Sequence, residues 1–168
     1  MPRAHILIIE DEKLIRWSLR QRLEEAGYFV DEAETARDGL AKLAADTFDL
    51  VMLDYRLPDL TGLDVLRSIR TTDKDQIVLM MTAFSNVEDA VEAMRLGAFD
   101  YVSKPFKMDA LMLTVDKALE TTRLKREIAF CRINMRFTHP AAIDRAAGHV
   151  HDPRENKQRA DYRNCQHS

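Results

Sequence analysis

Five polar side chains fall where apolar segments end. Glu10 and Asp11 follow Ile6-Leu7-Ile8-Ile9, Asp54 follows Leu50-Val51-Met52-Leu53, Thr82 closes the run from Ile77, and Lys104 follows Tyr101-Val102-Ser103. Three carboxylates gathered in one cleft repel one another, and a hard divalent cation relieves that repulsion. Mg2+ is the natural candidate, since it takes one or two carboxylates together with water and phosphate oxygens. Lys104 adds a point charge on a long stem, suited to a phosphoryl oxygen or to Asp54 itself. Each residue also has a plainer reading. Glu10 and Asp11 could favour the positive end of a following helix, Asp54 could open the turn at Arg56-Leu57-Pro58, Thr82 could be an ordinary strand residue, Tyr101 a core aromatic, and Lys104 a surface lysine held extended by Pro105. It is their joint placement at successive segment ends that points to one site.

The elements needed to bring them together are legible. Short β-rich runs alternate five times with helical patterns, which implies an α/β fold of parallel strands joined by crossover helices. Strands are predicted near His5–Ile9, Tyr28–Glu32, Leu50–Asp54, Ile77–Thr82 and Tyr101–Ser103. The first, third and fourth are apolar almost throughout, as strands covered on both faces are, and are therefore the central three. Helical spacing appears in Leu14, Leu19 and Leu23, in Ala36, Leu40 and Leu43, in Leu63, Leu66 and Ile69, in Val87, Val91 and Met94, and in Leu111, Val115, Ala118 and Leu119. Gly27 and Gly97 stand where helix C-caps would. In an open parallel sheet, functional groups collect at the carboxyl ends of the strands beside the point where strand order reverses. All five polar groups lie at such ends.

Composition narrows the class. The chain has 168 residues, 46% hydrophobic and 32% charged, with a formal net charge of −3, which fits one globular domain of ordinary size plus an extension. The longest aliphatic run, Ile77 to Met81, is far too short to span a membrane, and the N-terminal apolar run is too short for a secretory signal, so a cytoplasmic protein without a membrane partner is expected. Two cysteines, Cys131 and Cys165, imply no disulfide framework. Residues 1–129 carry 18 basic against 24 acidic residues, and residues 130–168 carry 7 against 4. An acidic body argues against nonspecific nucleic-acid binding, whose affinity comes largely from Lys and Arg. Direct DNA binding by this chain is not expected.

The segments ILIIEDE (6–12), LVMLDYRLPDLTGLDVL (50–66), VLMMTAF (78–84) and GAFDYVSKPF (97–106) together resemble the receiver domain of bacterial two-component response regulators. The resemblance covers residues 4 to 125. Ile15-Arg16-Trp17 and GAFDYVSKPF are most similar to receivers of NtrC-type, sigma-54-dependent activators. The resemblance implies a flavodoxin-like (CheY-like), doubly wound, five-stranded parallel sheet of order 2-1-3-4-5. It implies that Asp54 is the phosphoacceptor and that Glu10 and Asp11 hold Mg2+, Asp11 directly and Glu10 through water, with Arg56 contributing its backbone carbonyl. Thr82 matches the hydroxyl that follows the phosphoryl group, Tyr101 the aromatic that changes rotamer, and Lys104 the lysine that contacts the phosphate. The Lys104–Pro105 bond is expected to be cis. The implied partner is a sensor histidine kinase, and the implied protein is a phosphoacceptor with self-catalysed phosphorylation and dephosphorylation rather than an enzyme. Its output surface is the face made by the fourth helix, fifth strand and fifth helix, which could also form a homodimer.

From about Ala129 the helical pattern stops. Residues 126–168 are expected to be a helix extension followed by an irregular, flexible tail, with one short helix around residues 141–147. No G-x-x-x-x-G-K-[ST] phosphate loop occurs, and the tail cannot hold a helix-turn-helix with its own core. It reads as the truncated or frame-shifted remnant of a longer transcriptional regulator. The set Cys131, His139, His149, His151, Cys165 and His167 matches no compact zinc finger. Two alternatives stand beside the receiver reading. One is a Mg-dependent haloacid-dehalogenase-like phosphatase, although Asp11-Glu12-Lys13 lacks the second Asp of its D-x-D pair. The other is a DNA-binding regulator acting through the tail.

Overall fold

The computed structural model describes residues 3–83 and 87–137. It divides into two units, Met1–Leu124 and Lys125–Ser168. In the first, β1 (His5–Ile9), β2 (Phe29–Ala33), β3 (Leu50–Asp54), β4 (Val78–Thr82) and β5 (Asp100–Ser103) form a parallel sheet of order β2-β1-β3-β4-β5. Between them run α1 (Lys13–Glu25), α2 (Ala36–Ala45), α3 (Gly62–Thr72) and α4 (Val87–Arg95), and α5 (Met108–Phe137) follows β5. The expected α/β architecture and strand order are those observed.

Strand alternation sorts the core into two layers, because successive side chains point to opposite faces. Leu7, Ile9, Val51, Leu53, Val78 and Met80 form one cluster with Ala36 of α2, Leu63, Leu66 and Ile69 of α3, and Ala93 of α4. Ile6, Ile8, Leu50, Met52, Leu79 and Met81 form the other with Leu19 and Leu23 of α1 and Leu111, Val115 and Ala118 of α5. β3 and β4 are buried at every position and β1 at all but His5, whereas β2 and β5 keep exposed residues at the edges. These are the three central strands expected from their apolar composition.

Turn chemistry fixes the element ends. Gly27 (φ 92°) and Gly97 (φ 84°) adopt the left-handed conformation that favours glycine. At each, two N–H groups reach back to the helix in a Schellman pattern: Gly27 to Glu24 O and Tyr28 to Leu23 O, then Gly97 to Met94 O and Ala98 to Ala93 O. Thr35 and Thr61 cap α2 and α3, each hydroxyl accepting from the N–H of the aspartate three residues on.

Some expectations shift. β2 starts and ends one residue later than predicted, β4 starts at Val78 and β5 starts at Asp100. Leu14, read as part of the buried stripe of α1, is 74% exposed, and Arg16 is buried instead. The helical pattern does not stop near Ala129: α5 continues to Phe137. Residues 129–137 contain neither Gly nor Pro, so extending an existing helix costs little there even without an apolar stripe. The short helix expected around residues 141–147 and five of the six residues weighed as zinc ligands lie outside the described residues. Among the described residues, no helix is long and apolar enough to cross a membrane.

Candidate functional site

Strand order reverses between β1 and β3. β1 is followed in sequence by β2 on one side and is paired on the other with β3, so the crevice at their carboxyl ends is the place where a ligand fits. Glu10 and Asp11 come off β1 and Asp54 ends β3. One oxygen from each of the three carboxylates lies within 4.8 Å of the others. Glu10 is fully buried and Asp54 is 5% exposed, while Asp11 faces solvent.

Main-chain bonds between loops set the rim. Glu10 N–H donates to Ala33 O, Tyr55 N–H to Met81 O, and Lys104 N–H to Thr82 O at 2.6 Å. The Lys104–Pro105 peptide is cis, as expected. From this anchored backbone the Lys104 ammonium reaches inward, 2.5 Å from Glu10 Oε2 and 2.8 Å from Asp54 Oδ1. Thr82 is buried at the end of β4, and Asp54 lies in register with Met81 beside it. Tyr101 sits in register with Met80 and packs against the core layer that holds Met80, so Tyr101 and Thr82 share one face of the sheet, one step apart. Glu10, Asp11, Asp54 and Lys104 are thus brought together, and Thr82 ends the neighbouring strand.

Burial sets the electrostatics. Desolvation raises the pKa of Glu10; the hydrogen bond from Lys104 opposes it and the nearby Asp54 charge adds to it. Desolvation also raises Asp54, opposed by Lys104 and by the Arg56 N–H, and reinforced by Asp11. Burial disfavours the charge on Lys104, yet its bonds to Asp54 and Glu10 outweigh that and leave its pKa raised. Two acids share one cation, so the pocket carries uncompensated negative charge. That donor set fits Mg2+, a hard cation with a preference for carboxylate oxygens.

Three supporting residues escaped the sequence reading. The first is Gly62, whose N–H donates to Tyr55 O at 2.7 Å and which lies directly against the end of β3. Next comes Asp59, which accepts from the N–H groups of Ala36 and Arg37 and so ties the loop after Asp54 to the start of α2. The third is Arg16, whose guanidinium donates to the carbonyl of Glu10 at 2.7 Å. Only the T-G pair at 61–62 and the position of Arg16 one turn into α1 hinted at these roles.

Residues 6–116 match the model of the response regulator receiver domain. The chain belongs to the response regulator receiver domain family. The receiver is 40% identical over 123 residues to the regulatory protein AtoC of Escherichia coli (strain K12), a match covering 73% of this chain and 27% of AtoC. It is 36% identical over 148 residues to the C4-dicarboxylate transport transcriptional regulatory protein DctD of Pseudomonas aeruginosa, covering 86% of this chain and 32% of DctD. It also superposes on the receiver domain protein (CheY-like) of Methanospirillum hungatei JF-1 with a TM-score of 0.71 at 31% identity, over 74% of this chain and 99% of that one. The receiver therefore spans about a third or less of the length of the two curated relatives named. Nothing in these likenesses supports the phosphatase alternative.

Proposed function

We propose that the receiver takes a phosphoryl group from a sensor histidine kinase onto Asp54 and switches conformation in response, as the phosphoacceptor of a cytoplasmic two-component phosphorelay that controls transcription. The observation that carries this reading is the rim itself: a buried, Lys104-paired Asp54 beside two further acids and a strand-end hydroxyl. A carboxylate oxygen of Asp54 attacks phosphorus in line with the leaving imidazole; the O–P bond forms as the P–N bond breaks. Lys104 stands within reach of the equatorial oxygens and offsets their charge, and the Thr82 hydroxyl donates to the same group. Asp11, Asp54 and the carbonyl of Arg56 would hold Mg2+ directly and Glu10 through water, and the ion would supply the positive charge that lets a dianionic phosphoryl group sit among carboxylates. Because these groups all belong to this chain, phosphorylation and dephosphorylation are self-catalysed in part.

The shared face of Thr82 and Tyr101 supports a route for the switch. Movement of Thr82 toward the phosphoryl group opens space into which Tyr101 turns, altering the α4-β5-α5 face. Val87, Val91 and Met94 of α4 and Leu113 of α5 are exposed apolar residues on the two helices of that face, and their exposure favours a homodimer through it. The receiver proper is assigned to residues 4–125, and the remainder to a helix extension and tail. Incubation with a labelled acyl-phosphate donor tests the assignment: the parent protein should incorporate phosphate and Asp54→Asn should not. Equal labelling of both proteins would reject it.

A further inference from the structure

We propose that Arg16 is a positioning residue for the metal-binding acids, a clamp that holds the β1–α1 loop in the shape that presents Glu10 and Asp11 to Mg2+. The proposal rests on the reading of this rim as a Mg2+-dependent phosphoacceptor site, and it extends that reading to a residue outside the rim.

Arginine is seldom buried unless its fork is fully used. Arg16 is 6% exposed on the first turn of α1. One nitrogen, Nη1, donates to the main-chain carbonyls of both acids, Glu10 at 2.7 Å and Asp11 at 3.2 Å. Nη2 is bonded to the Glu34 carboxylate. Nε lies 3.4 Å from Glu32 Oε1. The guanidinium thus spans from the acid loop to the end of β2 and the approach to α2. A carbonyl held in place fixes the peptide plane, and with it the directions in which the flanking side chains leave the backbone.

Arg16 is the side chain that bonds the carbonyls of both acids. The N-cap of α1, Glu12, makes no side-chain capping bond. The main chain is otherwise held at Glu10 N–H, which donates to Ala33 O at 3.0 Å and leaves both carbonyls to Arg16, and by a 3.2 Å bond from Glu12 N–H to the Glu10 carboxylate, which uses an oxygen of one of the acids in question. The neighbouring Arg20 makes the contrast: it is exposed, pairs with Glu24 and Glu32, and is not bonded to the acid loop. Partners that orient metal ligands without touching the metal typically govern affinity by 10- to 100-fold, and Arg16 acts in that way through the main-chain carbonyls of both acids.

The test is calorimetric titration of the full chain with Mg2+, on the parent, Arg16→Gln, Arg16→Lys, Glu34→Gln and Arg20→Gln, each checked by far-UV circular dichroism well below its melting temperature. Arg16→Gln is expected to weaken Mg2+ by about ten-fold or more. Arg16→Lys should recover only part of that loss, because one ammonium cannot reach two carbonyls and two carboxylates together. Glu34→Gln should give a smaller weakening, and Arg20→Gln none. A destabilised variant remote from the rim, Arg70→Ala, separates positioning from general stability and should keep the parent affinity. Parent-like Mg2+ affinity in Arg16→Gln overturns the proposal, as does a loss of affinity in Arg70→Ala matching that in Arg16→Gln. Should Arg16→Gln not fold, unchanged affinity in Glu34→Gln overturns it. A parent protein that binds no Mg2+ removes the underlying reading as well, a result distinct from failure of the clamp alone.

Discussion

A Cβ placed on Gly62 would stand 2.5 Å from the backbone carbonyl oxygen of Asp54 and 2.8 Å from Cα of Tyr55. The obstacle is backbone, which cannot swing aside as a flexible side chain does. Gly62→Ala must therefore push the start of α3 off the end of β3 and move the carbonyl next to the phosphoacceptor. We expect a loss of about 1–3 kcal/mol, measured as a lower denaturant midpoint with unchanged slope, and slower acyl-phosphate labelling at temperatures where the variant remains folded.

Arg70 joins three chain segments through carbonyl oxygens. Nε donates to Leu96 O, Nη2 to Gly97 O at 2.6 Å, and Nη1 to Gln76 O and Asp73 O. Removal of the guanidinium leaves the part-buried Leu96 carbonyl and the exposed Gly97 carbonyl at the α4–β5 turn without this donor. Arg70→Ala is expected to cost about 1–3 kcal/mol, seen in equilibrium unfolding, with faster amide exchange concentrated in residues 96–99.

The Tyr28 hydroxyl donates to Asp116 Oδ1 at 2.9 Å and ties the α1–β2 turn to α5. Burial, with that bond and the aspartate charge, pushes its pKa from 10.0 up to about 12. A pKa raised in the folded state stabilises below the unfolded value and loses that contribution as pH climbs through the folded one. Tyr28→Phe should therefore show its full stability difference from the parent below pH 10, a difference that shrinks between pH 10 and about 12. A difference constant across that window would show that the bond is not what the tyrosine contributes.

Lys104 is the cation shared by Glu10 and Asp54. Without it, two buried carboxylates lose their partner, and desolvation lifts their pKa values further. The strain is present above those raised values and is relieved as pH falls toward the ordinary carboxylate range. Lys104→Ala is accordingly expected to melt lower than the parent at neutral pH, with the gap closing on acidification and on addition of Mg2+. Acyl-phosphate labelling should persist, since Asp54 and the other acids remain, while the conformational response is impaired.

What was legible in the sequence was whatever obeys a short period or a local rule. Val51 to Leu53 and Val78 to Met81 announce central strands because both faces are covered. Gly27 and Gly97 announce helix ends because a left-handed residue is needed there, and the acids at strand ends follow from the geometry of a parallel sheet. The supports of the site were not legible, because each depends on a distant partner. Arg16 reads as one charged residue among several on α1 until Glu32 and Glu34 are seen beside it. Asp59 looks like a loop aspartate until the N–H groups of α2 point at it. The reach of α5 is not legible for a different reason: helix continuation past Ala129 needs only the absence of a breaker, and periodicity does not report that.

Intact-mass spectrometry after exposure to acetyl phosphate, with and without magnesium, tests the central claim most directly. The parent chain should gain the mass of one phosphoryl group when magnesium is present, little or none when it is chelated, and none in Asp54→Asn under either condition. Equal phosphoryl gain in the presence of a chelator, or in Asp54→Asn, would contradict the assignment of Asp54 and its neighbouring acids as a metal-dependent phosphoacceptor.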